Sequence, residues 1–175
     1  MGGGCGAIFL REGHRPGGGP RGVGGKAAGR EEGEVKIYVA SSWRNQYQPN
    51  VVKALLQAGH AVYDFRNPRP GDIGFHWSEI DPNWKEWRPE LFKSVLSHPI
   101  AVSGFDSDFS AMLWSDACVL VLPCGRSAHL EAGYFVGAGK PLHILLADGE
   151  PELMYRMAFV NGGIHTNLLE LIEAL

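Results

Sequence analysis

Cysteine is scarce in this 175-residue chain. There are three, Cys5, Cys118 and Cys124, an odd number at no recognised metal or framework spacing. That excludes a disulfide scaffold and fits a reducing, cytoplasmic compartment. No apolar run reaches the roughly 18 residues of a membrane span. No continuous apolar stretch near the N-terminus suggests a secretory signal. A strong charge is missing too: 16 Lys and Arg stand against 19 Asp and Glu, a formal net charge of −3. The chain therefore offers no electrostatic case for nucleic acid, and neither a nucleic-acid nor a membrane partner is expected. There is no internal repeat. What is present, 45% hydrophobic and 20% charged residues, is the composition of a soluble globular domain, and the length suits one such domain.

Residues 1–34 differ from the rest. They hold 13 of the 24 glycines, with Arg and Pro and almost no apolar periodicity. A segment of that kind buries too little surface to offset its ordering entropy, so a disordered Gly-rich tail is expected there. Folding is expected over 35–175. Val35–Ala40 reads as the first strand, and a helix follows from Pro49 to Ala58 with Gly59 as its stop. His60–Asp64 reads as the second strand. Residues 65–88 break the pattern with Pro, Gly, charge and the tryptophans Trp77, Trp84 and Trp87. A loop this long in a compact domain is uncommon and tends to carry function or motion. It either closes over a ligand, its aromatics stacking on it, or packs on its own tryptophans.

Helical spacing returns at Pro89–Leu96 and near Asp106–Ser115. The apolar run Ala117–Leu122 is a buried strand, and a helix of small and apolar residues follows, ending near Gly137–Pro141. Leu142–Leu146 is a fourth strand. A short helix at 151–157, a strand at Ala158–Val160 and a helix at 167–174 complete the chain. Strands alternating with helices imply an α/β fold. We expect three layers: a mainly parallel sheet of about five strands with helices on both faces.

In such a sheet, ligands bind outside the carboxyl ends of the strands. Four pieces of this chain converge there. Tyr38 and the Ala40-Ser41-Ser42-Trp43-Arg44 turn end the first strand; hydroxyls, backbone N–H groups and a guanidinium can together hold a phosphate. Asp106-Ser107-Asp108 comes next, with Asp108 eight residues before Asp116. Asp116 stands at the entrance to the core strand and reads better as a cap or turn residue than as catalytic. The fourth piece is the loop and helix from Gly125 through Ser127 to Glu131. Glu131 is a carboxylate on the early turns of a helix just past a strand, with small neighbours that let a ligand approach.

With these residues the chain resembles the nucleoside 2-deoxyribosyltransferase family, and within it the deoxynucleoside 5′-monophosphate N-glycosidases. The resemblance covers about residues 36–146. It rests on Ile37-Tyr38-Val39-Ala40-Ser41-Ser42, on the Asp108 to Trp114-Ser115-Asp116 spacing, and on the small-residue loop leading to Glu131-Ala132-Gly133-Tyr134. It implies that Glu131 attacks C1′ of the sugar and that Asp108 sits near the sugar and leaving base. It implies that Ser42 and Arg44 hold a 5′-phosphate, with Tyr38, Gly125 and Ser127 lining the substrate site. It also implies a three-layer, flavodoxin-like arrangement of the sheet and a homodimer or larger homo-oligomer. Asp106 could take the place of Asp108 in a shifted register. Arg126 and His129 make the loop more charged than its relatives, and the 65–88 segment has no clear counterpart.

The residue types suit that chemistry. Cleaving an N-glycosidic bond passes through an oxocarbenium-like state, which a carboxylate can stabilise or trap as a glycosyl ester. Transfer to another base or hydrolysis follows, and a second acid helps the base depart. Neither step needs a metal or a redox cofactor, and none is expected. The substrate would be a small nucleoside or nucleotide. The rival reading is a non-catalytic nucleotide-binding or sensing domain, which would not require both Glu131 and Asp108.

Other features have plainer readings. Cys118 is a buried small hydrophobe. Cys124 and His129 lack further ligands at a zinc spacing. His76 reads as a surface residue. Gly137-Ala138-Gly139-Lys140-Pro141 is a helix stop and not a phosphate loop, because Tyr134 takes the first glycine position of that motif and Pro141 follows the lysine.

Overall fold

The computed structural model describes residues 33–147 and 152–175. Apart from Gly33 and Glu34, the segment expected to be a disordered tail lies outside the described residues. Five short strands form one sheet: β1 (Lys36–Ala40), β2 (Ala61–Asp64), β3 (Ala117–Val121), β4 (Leu142–Leu145) and β5 (Gly162–His165). Their order is β2-β1-β3-β4-β5 and every adjacent pair is parallel. This is the flavodoxin-like order, in which the chain turns from one side of the sheet to the other between β1 and β3.

Parallel strands buried on both faces explain the unbroken apolar runs. All five residues of β3 are buried. One face carries Tyr38, Cys118, Leu120 and Ile144 against Ala111, Met112, Ala132 and Phe135. These come from α3 (Pro99–Trp114), which follows the short α2 (Pro89–Val95), and from α4 (Arg126–Gly137). The other face carries Ile37, Val39, Val119 and Val121 against Val51, Leu55 and Leu171. Those belong to α1 (Gln48–Gln57) and α5 (Leu168–Glu173). The three layers follow directly. No helix among the described residues is long and apolar enough to cross a membrane.

Several local expectations need revision. α3 begins at Pro99, seven residues before the expected start. Apolar residues surround it on most sides, which blurs its period, but Pro99 opens the helix and the Nδ1 of His98 accepts from the N–H of Ile100 at 3.3 Å. The strand expected at Ala158–Val160 is absent. Leu153–Phe159 forms a 3-10 segment that buries Ala158, and the fifth strand is Gly162–His165. That strand has Gly162 and Gly163 where an apolar run would signal it. Gly162, at φ 138°, passes so close to the Leu142 carbonyl that a Cβ would collide with it. Asp116 has the structural role read from sequence: its Oδ2 accepts from the Lys36 N–H at 3.1 Å. Lys140 also tightens the fold. Its ammonium donates to the carbonyls of Met112, Leu113 and Ser115 at 2.9, 3.1 and 2.6 Å, closing the carboxyl end of α3.

The 65–88 segment is held by aromatic packing. Trp77 meets Phe75, Trp87 and Phe92 edge-on at 4.7, 5.7 and 5.6 Å between ring centres. The indole N–H of Trp87 donates to Asp81 Oδ2 at 2.6 Å. Phe75 lies against Gly104 of α3, where a Cβ would come within 2.9 Å of the ring. His76, read from sequence as a surface residue, is half-buried, with its ring 4.2 Å from that of Trp43, so it also takes part in this packing. The tryptophans therefore brace their own loop.

Buried histidines add a pH-dependent element. His143 of β4 and His165 of β5 point to the same face, with 3.0 Å between Nδ1 and Nε2. Burial, and then the neighbouring His165, push His143 down to about 4. Burial lowers His165 as well, opposed by the charge of Glu170. The fold thus favours both rings neutral. Their stabilising contribution is complete above the ordinary histidine value of 6.5 and is lost as pH falls toward 4. His143→Asn is expected to flatten the dependence of unfolding free energy on pH between 6.5 and 4, by on the order of 3 kcal/mol. Urea titrations at pH 7.5 and 4.5 check it; parallel pH curves for parent and variant would refute it.

Candidate active site

The register of the sheet builds the centre of the site. Tyr38 on β1 is paired with Tyr63 on β2 and with Cys118 on β3. All three side chains rise on the α3–α4 face. The two tyrosine rings stack at 5.4 Å with 14° between planes, and Phe135 of α4 packs on Tyr38 at 5.8 Å. Above this aromatic floor stand two carboxylates from different helices. Asp108 of α3 accepts from the Tyr63 hydroxyl at 2.8 Å, and Ser107 lies 3.2 Å from the same hydroxyl. Glu131 of α4 is held by a hydrogen bond from Tyr38.

Helix phase explains why these two acids face inward. Asp108 shares the face of α3 that buries Ala101, Ala111 and Met112. Asp106, two residues earlier, is turned out and exposed. Glu131 borders the face of α4 carrying Ala128, Ala132 and Phe135. The small residues around it keep the helix close to the sheet.

Electrostatics make the pair unusual. Burial, and then the charge of Asp108, push Glu131 up to about 7, against the hydrogen bond from Tyr38. Burial also raises Asp108; the Tyr63 hydrogen bond opposes that, and the charge of Asp72 adds to it. Tyr38 and Tyr63 are raised chiefly by burial, with the carboxylates contributing, so both phenols stay protonated and serve as donors. Two raised carboxylates within electrostatic reach of each other, in a partly dry crevice, form the arrangement that acid–base and nucleophilic chemistry requires.

The remaining sequence candidates lie on the same edge of the sheet. Ser42 and Arg44 occupy the turn after β1. The Arg44 N–H donates to Ser42 Oγ at 3.2 Å and its guanidinium is exposed. Gly125 precedes α4 as its N-cap, and Ser127 is exposed on the first turn. The structure thus brings Glu131, Asp108 and Tyr38 together, while Ser42, Arg44 and Ser127 stand in the turn after β1 and the first turn of α4.

Sequence reasoning missed the residues that hold this edge in shape. Asn45 is buried and its amide donates to the carbonyls of Val121 and Pro123 at 3.1 and 3.0 Å, tying the β1 turn to the end of β3. Ser41 Oγ donates to Val121 O at 2.9 Å. Arg66 donates to the carbonyls of Ser42 and Asn45 at 2.8 and 2.7 Å. The polar run Asp64-Phe65-Arg66-Asn67 just past β2 was the available signal. Tyr63 could be recognised only from strand register. Beside Glu131, His129 shares its Nδ1 with Gly125 O at 3.0 Å and its Nε2 with the Tyr155 hydroxyl at 3.1 Å. Cys124 lies 3.5 Å from His129, and burial, then Glu131, push its thiol up to about 11. A thiol so raised is a poor nucleophile. No cluster of three or more metal-ligating side chains occurs among the described residues.

A cavity of about 430 Å³ opens beside Asp108, between α3 and the 65–79 stretch. Tyr63, Asp72, Phe75 and Gly104 line it. Glu131, Ser42 and Arg44 are outside its wall, so it extends from one side of the carboxylate pair.

No protein-family model and no curated protein sequence matches the chain. Solved structures do. A 2-deoxyribosyltransferase from Bacillus psychrosaccharolyticus superposes at a TM-score of 0.55 with 19% identity, over 78% of this chain and 89% of the other. A conserved protein from Enterococcus faecalis V583 superposes at 0.54 with 18% identity, over 81% and 96%. A CMP N-glycosidase from Clostridium botulinum reaches 0.41 with 13% identity, over 78% and 93%. At these identities the likeness concerns architecture: the chain has the three-layer, flavodoxin-like α/β fold of the 2-deoxyribosyltransferase.

Proposed function

We propose that the protein cleaves the N-glycosidic bond of a nucleoside or deoxynucleoside, or its 5′-monophosphate, through Glu131. The observation that carries this reading is the pair of half-buried, raised carboxylates, Glu131 and Asp108, on an aromatic floor at the carboxyl edge of the sheet. Glu131 would attack C1′ as the base leaves, forming a glycosyl ester. Asp108, at the mouth of the cavity, would donate a proton or hydrogen bond to the departing base. Water or a second base would then release the sugar from Glu131. Tyr38 would hold the carboxylate in place. The shared fold with a 2-deoxyribosyltransferase supports the reading without deciding between transfer and hydrolysis.

Ser42 and Arg44 would hold a 5′-phosphate. Arg66 and Asn45 keep their turn rigid, and the Arg44 guanidinium is free to reach a ligand. The test is chromatography of bases released from a panel of nucleosides and nucleotides, with and without a second free base. Base release supports the reading, and a new nucleoside appearing with the second base identifies transfer. Arg44→Ala is expected to weaken use of monophosphates by about 1.5–3 kcal/mol and to spare unphosphorylated substrates. Equal loss on both would make Arg44 structural. No base release from any substrate would overturn the reading.

A further inference from the structure

We propose that the cavity beside Asp108 selects the base by its N–H donors, so that nucleosides of amino-bearing bases are preferred over their oxo counterparts. The inference rests on the glycosidic-bond-cleaving reading and adds the substrate class to it. Besides Asp108, two carboxylates, Asp72 and Glu79, line the cavity with a single cation, Arg69. An ionised carboxylate accepts hydrogen bonds and cannot donate them. Both are fixed by backbone bonds. Asp72 Oδ1 accepts from the Gly74 N–H and Glu79 Oε1 from the His76 N–H, each at 2.9 Å. The second oxygen of each has no hydrogen-bond partner among the described residues, and since both side chains are exposed it faces water until a ligand covers it.

These acceptors are therefore in place before a ligand arrives, which lowers the cost of binding one. A base edge bearing an amino group satisfies them. A carbonyl at the same position sets lone pair against lone pair and leaves a carboxylate desolvated and unpaired. Phe65 and Phe75 supply aromatic walls for a flat ring, and the volume falls within the range of small-ligand pockets. The same negative lining repels a phosphate. A nucleotide would thus enter base first, leaving its phosphate to the Ser42–Arg44 turn.

The experiment compares substrates that differ only at one edge: deoxycytidine with deoxyuridine, and deoxyadenosine with deoxyinosine, each with and without a 5′-phosphate. The amino member of each pair is expected to have a kcat/KM at least about tenfold higher. Asp72→Asn, whose amide can donate as well as accept, is expected to narrow that ratio by about tenfold. Should it leave the ratio unchanged, Glu79→Gln is expected to narrow it, and if neither does, the carboxylates are not the readers and the proposal falls. Calorimetric binding of the same pairs to Glu131→Gln separates recognition from chemistry. Equal use and equal binding of amino and oxo members overturn the proposal while base release stands. Selective binding without base release from any substrate upholds the proposal and overturns the enzymatic reading. Absence of binding by every member overturns it.

Discussion

Glu131→Gln is expected to abolish base release and, at alkaline pH, to make the protein more stable. Both effects have one cause. Glu131 is held in a crevice where burial and the charge of Asp108 raise it to about 7. An ionised carboxylate so poorly solvated is a strong nucleophile toward an electron-deficient C1′, and an amide is not. Its loss is expected to lower kcat/KM by at least 10²–10⁴-fold. In the parent, kcat/KM is expected to rise with pH through about 7 as the carboxylate ionises.

The same raised value is a stability cost. A carboxylate whose folded-state pKa lies above its unfolded one contributes stability below the unfolded value, and that contribution is lost as pH rises through the folded value. For Glu131 the window runs from about 4.5 to about 7. Gln mimics the protonated form, so Glu131→Gln is expected to exceed the parent by on the order of 3 kcal/mol at pH 8, with no difference below about pH 4.5. Denaturant titrations of both proteins at the two pH values, beside base-release assays, read both effects. A variant that releases base at the parental rate would remove Glu131 from the reaction. The His143–His165 pair acts in the opposite sense over an overlapping window, so Glu131→Gln should also expose a steeper loss of stability on acidification.

Asp108→Asn is expected to lower turnover by about 10²–10⁴-fold, with the loss depending on the leaving base. Burial raises Asp108 and the Tyr63 hydroxyl orients it at 2.8 Å, which suits it to give a proton to a departing ring nitrogen. A base that leaves already neutral needs no such help. Cleavage of a 7-methylguanine nucleoside, cationic before bond breaking, should therefore be largely spared in the variant. Uniform loss on both kinds of substrate would assign Asp108 to substrate positioning instead. Thermal unfolding of the variant separates either outcome from a damaged fold.

Much of the candidate site was legible because its signals are local. An apolar strand, a glycine turn and a small-residue helix located Glu131 before any contact was known. The resemblance pointed to Asp108 but left Asp106 open in a shifted register, because the two differ only in helix phase, and α3 has apolar residues on most sides. Its packing against β1 turns Asp108 toward Tyr63 and leaves Asp106 in water. Arg66 was passed over for a related reason: its partners, the carbonyls of Ser42 and Asn45, lie 24 and 21 residues away. The tryptophans were left open between stacking on a base and packing; the structure shows Trp77 and Trp87 packed on each other. β5 escaped notice because its two glycines carry no apolar signal, while its role depends on the neighbouring Leu142 carbonyl.

By itself, the amino-acid sequence determined the alternation of strands and helices, the parallel and doubly covered character of the sheet, and the two short segments where acids meet strand ends. Those follow from periodicity and burial within about ten residues, which each segment expresses alone. Tertiary structure decided the order β2-β1-β3-β4-β5, the Tyr38–Tyr63 register, the selection of Asp108, and the cavity made where Phe75 meets Gly104. Each of these depends on which segments pack together across long sequence separations. Hydrophobic burial rewards many such pairings almost equally, and only the complete set of contacts selects one.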